Sequence, residues 1–206
     1  KTIDPLNGIT ENFYDSAGRL VQTRDARNNA TTYAYDTAGR QTSVTDALGN
    51  TTTFAYDALG RRTSVTDAND NITTYAYDEL NRVVTITDPL GNTTATAYNA
   101  LGQSLSRTDA NGNSVSFAYD VPGRLASQTD ALGDITSFAY DAIGNRLEVT
   151  DANNHTSTTA YDAINRPVTF TDANGNSTAN GYDAAGNLVA STDALGNTTV
   201  TTHTTR

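Results

Sequence analysis

The chain has 206 residues, a net charge of -10 and no Cys, Met or Trp, which excludes disulfides and thiolate metal sites and leaves no basic face for nucleic acid. No apolar run approaches the ~20 residues of a membrane-spanning helix, and no segment has the basic and apolar regions of a signal peptide. Leu, Ile, Val and Phe fall below the ~20% level that, with high net charge, marks disorder, yet Thr, Tyr, Val and Phe gather in short runs between turn formers, as half-buried strands are written.

Read from the amino terminus, the elements alternate strand and reversal. Asp4, Asn7 and Gly8 open a turn; a strand leads to Phe13 and Tyr14; Asp15 to Gly18 make a second turn; another strand leads to Asp25, where the first kind of turn begins again. From Tyr14 a Tyr recurs at Tyr35, Tyr56, Tyr77, Tyr98, Tyr119, Tyr140, Tyr161 and Tyr182, every 21 residues without insertion or deletion, and His203 takes the next slot. A fixed period of this kind is the signature of a repeat array whose units are too small to bury a core alone. Residues 1–206 are therefore expected to form a single array without internal linkers, and since the pattern is under way at both ends, a piece of a longer repeat protein.

The two turns differ in their residues. After each Tyr comes Asp (Asn99 once), and three residues later only Gly or Asn, as in Gly39, Gly60, Asn81 and Asn165. This predicts a type I turn closed by the Asp side chain, with a left-handed bulge residue in the fourth slot. The other turn opens with Asp25, Asp46, Asp67, Asp88 and their successors, then places two adjacent residues tolerant of positive φ, such as Gly49-Asn50, Asp70-Asn71 and Gly91-Asn92. Two such slots predict a type I′ turn. The remaining residues form two strands of roughly six residues per repeat.

Alternation along those strands puts each repeat Tyr on one face with the aromatic two residues before it (Tyr33, Phe54, Tyr75, Phe117, Phe138), and the intervening Ala34, Ala55, Ala76 and Ala118 on the other. Val44, Val65, Ile86, Val149 and Phe170 form one column of the return strands, and Val84, Leu105, Leu147, Val168 and Val189 another. Ordering 21 residues opposes folding by on the order of 20–40 kcal/mol, whereas each buried Tyr, Val or Leu returns about 1.5–3 kcal/mol, so hairpins must stack. The reading is all-β: tandem 21-residue β-hairpin repeats in a continuous antiparallel sheet that winds into a spiral or superhelix. Because turn chemistry leaves strand pairing open, a two-sided parallel β-solenoid is the alternative.

The string aromatic-Ala-Tyr-Asp-x-x-Gly-Arg, clearest in Tyr33 to Arg40, Phe54 to Arg61 and Phe117 to Arg124, resembles the YD repeat, also called the RHS repeat, along the whole chain. The resemblance implies a strip of side-by-side hairpins that, in large members such as bacterial RHS proteins, insecticidal toxin complexes and teneurins, spirals into a hollow shell. It implies a non-catalytic scaffold of a secreted or cell-surface bacterial protein, as shell wall, spiral or filament. Its partners would be adjoining repeats or further copies of itself. The alternative is a surface module for glycans or host proteins. The family's autoproteolysis segment is only half matched, by Asp88-Pro89-Leu90-Gly91, with Val83 where a Pro belongs, and reads as a turn.

No motif for catalysis stands out. His155 and His203 occupy the Asn and Tyr columns as structural substitutions, and no zincin, phosphate-loop or nucleophile-elbow pattern occurs. Catalytic, cofactor-binding and metal residues are accordingly expected to be none. Calcium is considered at Asp67-Ala68-Asn69-Asp70-Asn71 and at the equivalent turns opening with Asp109 and Asp172. These lack the later Gly and Glu of a calcium loop, and Leu48, Leu90, Leu132 and Leu195 replace the middle oxygen elsewhere. Exposed rings could receive a sugar, without Trp to favour it. The Thr array is too broken, at Val115 and Ser157, for ice binding.

Overall fold

The computed structural model describes residues 2–3 and 9–202, and every regular element among them is a β-strand. Two compact units are present, Lys1–Ala97 with Thr108–Gly112 and Tyr98–Arg107 with Asn113–Arg206. Within each, consecutive strands pair antiparallel as a meander: Ala30–Tyr35 with Gln41–Thr45 and that strand with Thr51–Tyr56 in the first unit, Ile135–Tyr140 with Arg146–Thr150 and that strand with Thr156–Tyr161 in the second. The two-sided parallel solenoid is therefore not the architecture. A parallel connection needs a long crossover, and the reversals here are too short to supply one.

Strands ending in the repeat Tyr hold six residues and the returning strands five. Register places Tyr33 opposite Val44 and Phe54 opposite Val65, so rings and the Val column share a face. Ala34 lies opposite Ser43 and Ala55 opposite Ser64 on the other. The rings are half-buried, whereas Ala34, Ala55 and Ala76 are exposed. Among the described residues no side chain is buried, and contacts between elements run only between neighbouring strands. Each unit is a sheet without a hydrophobic core, held by its ladders, its turns and the half-covered ring face.

At Tyr14, Tyr35, Tyr56, Tyr77, Tyr119, Tyr140, Tyr161 and Tyr182 the register slips by one: Ala34 faces Ser43 but Tyr35 faces Gln41, and Ala55 faces Ser64 but Tyr56 faces Arg62. The unpaired extra residue is a β-bulge, which re-aims neighbouring side chains. Its result is visible at Arg62, whose guanidinium lies over the rings of Phe54 and Tyr75. Strict alternation would have placed it on the Ala face.

The second kind of turn departs from expectation. Gly49, Asp70 and Gly91 have positive φ, but among the described residues Asn50, Asn71 and Asn92 do not. Both turns have one geometry. At Asp36 the Gly39 N–H donates to the Asp36 carbonyl and the Asp36 N–H to that of Arg40 (3.0 and 2.9 Å); Asp46, Gly49 and Asn50 repeat this at 3.1 and 3.0 Å. Each is a type I turn closed by a left-handed bulge residue. The two reversals per repeat are equivalent, and the adjacent Asn serves another purpose, described below.

The left-handed slot is testable at Gly39, where φ is +81° and no atom lies within 4 Å of an added Cβ, so backbone strain alone opposes a side chain. Gly39→Ala is expected to destabilise by about 1 kcal/mol. Gly39→Asn should cost less, because Asn81 and Asn165 already hold this conformation at φ 63° and 66°. Urea midpoints of the two variants rank them.

Candidate functional site

The side chains that carry chemistry converge on the turns. The Asp36 Oδ1 accepts the N–H groups of Ala38 and Arg40, both at 2.9 Å, closing the reversal as an Asx turn. Its Oδ2 accepts the Arg40 Nε–H at 2.7 Å. In the other turn the Asp46 Oδ1 accepts from Leu48 and Asn50 at 2.9 Å, and Oδ2 accepts from the Asn50 Nδ2 at 2.8 Å. The fifth slot of either turn thus supplies a donor to the Asp, Arg in one and Asn in the other. This donor accounts for the Asn that usually follows the left-handed residue; Asp134, in the same slot, closes its turn through the backbone N–H at 2.9 Å.

Arg does more than close its own turn. The Arg40 Nη1 donates to the Asp57 carbonyl of the following hairpin at 2.8 Å. Its guanidinium carbon stands 4.9 Å from the Tyr56 ring centroid, within cation–π range. The Tyr56 hydroxyl returns a hydrogen bond to the Gln41 carbonyl at 2.7 Å. Arg19 with Tyr35, Arg124 with Tyr140 and Arg166 with Tyr182 make the same closed set. The motif Tyr-Asp-x-x-Gly-Arg is therefore a latch: Asp bends the chain, Gly permits the bend, Arg reaches the next unit, and that unit's Tyr reaches back. Single exposed ion pairs contribute little, but here each is one arm of a planar fork already oriented by the turn.

Neutral substitutions keep the turn closure but reach a different group of the next hairpin. The Asn99 Nδ2 donates to the Gln103 Oε1 at 2.7 Å, and the Gln103 Nε2 reaches the Gly123 carbonyl at 2.6 Å. Asn145, in the Arg slot, bonds the Asp141 Oδ2 at 2.8 Å and the Asn165 Oδ1 at 3.1 Å. The role of the Arg and of the Tyr hydroxyl was missed in the sequence, although fixed Arg slots at Arg19, Arg40, Arg61 and Arg82 in a chain whose one Lys is Lys1 were the available signal.

These bonds depress the aspartate pKa values. At Asp15, Asp36, Asp78, Asp151 and Asp162 the leading cause is the backbone N–H of the fifth turn residue. At Asp25, Asp46, Asp67, Asp88, Asp172 and Asp193 it is the Asn amide. At Asp57, Asp120 and Asp141 partial desolvation pushes upward most strongly, and the combined hydrogen bonds outweigh it.

The turns considered for calcium are engaged in the same way. The Asp67 Oδ1 accepts from Asn69 and Asn71 and its Oδ2 from the Asn71 amide, and Asp172 repeats the set. A cation would have to displace these donors. Among the described residues no three carboxylate or imidazole groups are gathered as ligands. A melting temperature unchanged by EDTA is the expected result, and a drop on chelation would restore a metal to these turns.

His155 takes the Asn role, its Nδ1 lying 3.2 Å from the Asp151 Oδ2 at an exposed position. His203 lies outside the described residues. Asp88-Pro89-Leu90-Gly91 forms an ordinary turn, with Leu90 N–H and Gly91 N–H bonded to Asp88. Leu48, Leu90, Leu132 and Leu195 project from the turn tips at 87–89% exposure. Leu59, Leu101, Ile143 and Ile164 are exposed by 65–80% on the other kind of turn. Sequence reasoning noticed the first set only as missing oxygens.

Residues 14–51, 35–72, 56–93, 122–156 and 161–203 match the RHS Repeat profile. No curated protein matches significantly. Among solved structures, the crystal structure of TcdB2-TccC3-TEV is similar with a TM-score of 0.62 at 18% identity over 89% of this chain and 11% of the other. TcdB2-TccC3 without its hypervariable C-terminal region is similar with a TM-score of 0.57 at 19% identity over 89% and 12%. The likeness at these identities is one of fold, and the chain spans about a tenth of those structures' length.

Proposed function

We propose, for a chain that belongs to the RHS repeat family, a purely structural role: it is a non-catalytic wall segment of a secreted or cell-surface bacterial repeat protein, its hairpin strip winding in the parent molecule as a shell, spiral or filament. The observation that carries this reading is the latch. Arg40, Asp36, Tyr56 and their equivalents direct their polar atoms into their own turn or the next hairpin, so the residues with chemical capability are occupied in propagating the array. The whole of 1–206 is one such array in this account, with adjoining repeats or further copies as its partners.

Sugar stacking is a weaker reading for a geometric reason. Guanidinium groups already lie over the rings of Tyr35, Tyr56, Tyr77 and Tyr140, so the faces a sugar would use are engaged.

Deletion of one whole internal repeat tests the scaffold reading. Removing residues 57–77 joins Tyr56 to Asp78, restores the motif, and should leave a folded β-protein of only slightly lower stability, as in quasi-one-dimensional arrays. A glycan array with no hits is expected for both forms. Loss of folding on deletion, or a glycan hit that vanishes with one particular repeat, would overturn the scaffold reading in favour of a localised site.

A further inference from the structure

The slot that follows each latch position, Arg in most repeats and Gln103, Asn145 or Asn187 in three, is Leu20, Gln41, Arg62, Val83, Ser104, Leu125, Arg146, Pro167 and Leu188 in successive repeats. Only at Gln41 and Arg62 do two long hydrogen-bond donors occupy it in neighbouring hairpins. With Phe54 and Tyr56 they line a shallow cavity of about 210 Å³ on the ring face. The Arg62 guanidinium carbon is 5.9 Å from the Phe54 ring centroid and 5.2 Å from that of Tyr75. Unlike Arg40 and Arg61, whose guanidinium groups are held by a carboxylate and by the next hairpin's carbonyl, Arg62 has only ring contacts for its side chain among the described residues. The Tyr77 hydroxyl fixes its backbone carbonyl at 2.8 Å.

The geometry points to a carboxylate-binding site at Arg62 and Gln41 that takes an aspartate or glutamate side chain of an acidic polypeptide partner. A guanidinium held over rings keeps its in-plane N–H groups available for a bidentate acid, and Gln41, lining the same cavity, carries an amide donor. No carboxylate lines the cavity, so it selects an anion over a cation. Between an acidic side chain and an acidic sugar, the rings decide. Arg62 covers Phe54 and Tyr75 and Arg40 covers Tyr56, which removes the platform a sugar ring would stack on. Arg146 lies over Phe138 at 5.9 Å, but Thr159 stands where the second ring, Tyr75, does, and Leu125 stands where Gln41 does and contributes no amide. It is an internal control.

The test uses the full chain and a fluorescein-labelled oligoglutamate peptide, read by anisotropy at about 0.15 M salt, where long-range repulsion from the acidic protein is screened. Wild-type protein is expected to bind, Arg62→Gln to bind at least about tenfold more weakly, and Arg62→Lys to fall between them because it keeps the charge without the fork. Arg27→Gln, the same charge change on an exposed turn, and Arg146→Gln should bind nearly as wild type. Circular dichroism establishes that each variant keeps its sheet. Should Arg62→Gln lose its sheet, an oligoglutamate-induced shift of the Arg62 Nε–Hε resonance in wild-type protein carries the test, its presence supporting the site and its absence overturning it. Equal affinity for wild type and a folded Arg62→Gln, no binding by the wild type, or tighter binding of oligogalacturonate than of oligoglutamate would each overturn the assignment.

Discussion

Acidified below about pH 4, the protein is expected to lose its β-sheet signal in a steep transition, because aspartates throughout both units have pKa values below their ordinary value near 3.9. The direction follows from proton linkage. Each folded-state pKa is depressed, so the unfolded chain binds more protons over the interval between the two values. Stability from these groups is complete above the unfolded pKa and is withdrawn as pH falls through the folded one. Each exposed turn contributes modestly and is screened by salt, but the turns act in parallel along the array, which makes the transition steep. The double variant Asp36→Asn with Arg40→Gln reproduces the neutral Asn99–Gln103 pair, whose Asn99 Oδ1 still accepts from Leu101 and Gln103 at 2.9 and 3.0 Å. It should fold and flatten the acid transition by one titrating site. A denaturation midpoint independent of pH between about 5 and 2.5 would contradict the turn-locking account.

The second large effect is expected at a latch tyrosine. Tyr140 is half-buried, its hydroxyl donates to the Leu125 carbonyl at 2.9 Å, and the Arg124 guanidinium stands 4.7 Å from its ring centroid. Tyr140→Phe removes one hydrogen bond and should destabilise by about 1 kcal/mol. Tyr140→Ala also removes about 1.5–2 kcal/mol of apolar coverage and about 0.5 kcal/mol of cation–π attraction, for a total of about 3 kcal/mol. Guanidinium unfolding at neutral pH measures both, and amide exchange should localise the loss to the hairpins on either side of the seam, since repeats communicate through neighbours. Alanine and phenylalanine variants of equal stability would remove the ring from the account.

How much of this was legible depends on the residue. The period and the first turn were plain, because Asp36 and Gly39 have local roles that residue type alone announces. The separation of Tyr33 from Ala34 onto opposite faces followed from alternation and agrees with the register, which sets Val44 opposite Tyr33. The second turn was misread at Asn50, since tolerance of positive φ and supply of an amide to Asp46 use the same residue type, and a sequence does not separate them. Arg40 and the Tyr56 hydroxyl act across two hairpins. Their partners are backbone carbonyls, Asp57 and Gln41, which leave no mark on residue identity. Arg62 was hidden for another reason: a bulge breaks the alternation on which face assignment rests. Among the described residues no side chain is buried, because on one bare sheet face rings and valines cover each other only from the side.

The central claim is that each unit is an antiparallel meander of latched hairpins. Nuclear Overhauser effects between Hα protons of cross-strand pairs test it most directly. Phe54 with Val65 and Thr66 with Ile72, both non-hydrogen-bonded pairs, should be in close contact, while Tyr56 and Tyr77, two strands apart, should show no backbone contact. Close backbone effects between residues 21 apart, with none across the Asp57–Arg61 turn, would mean stacked parallel coils and would contradict the structure described.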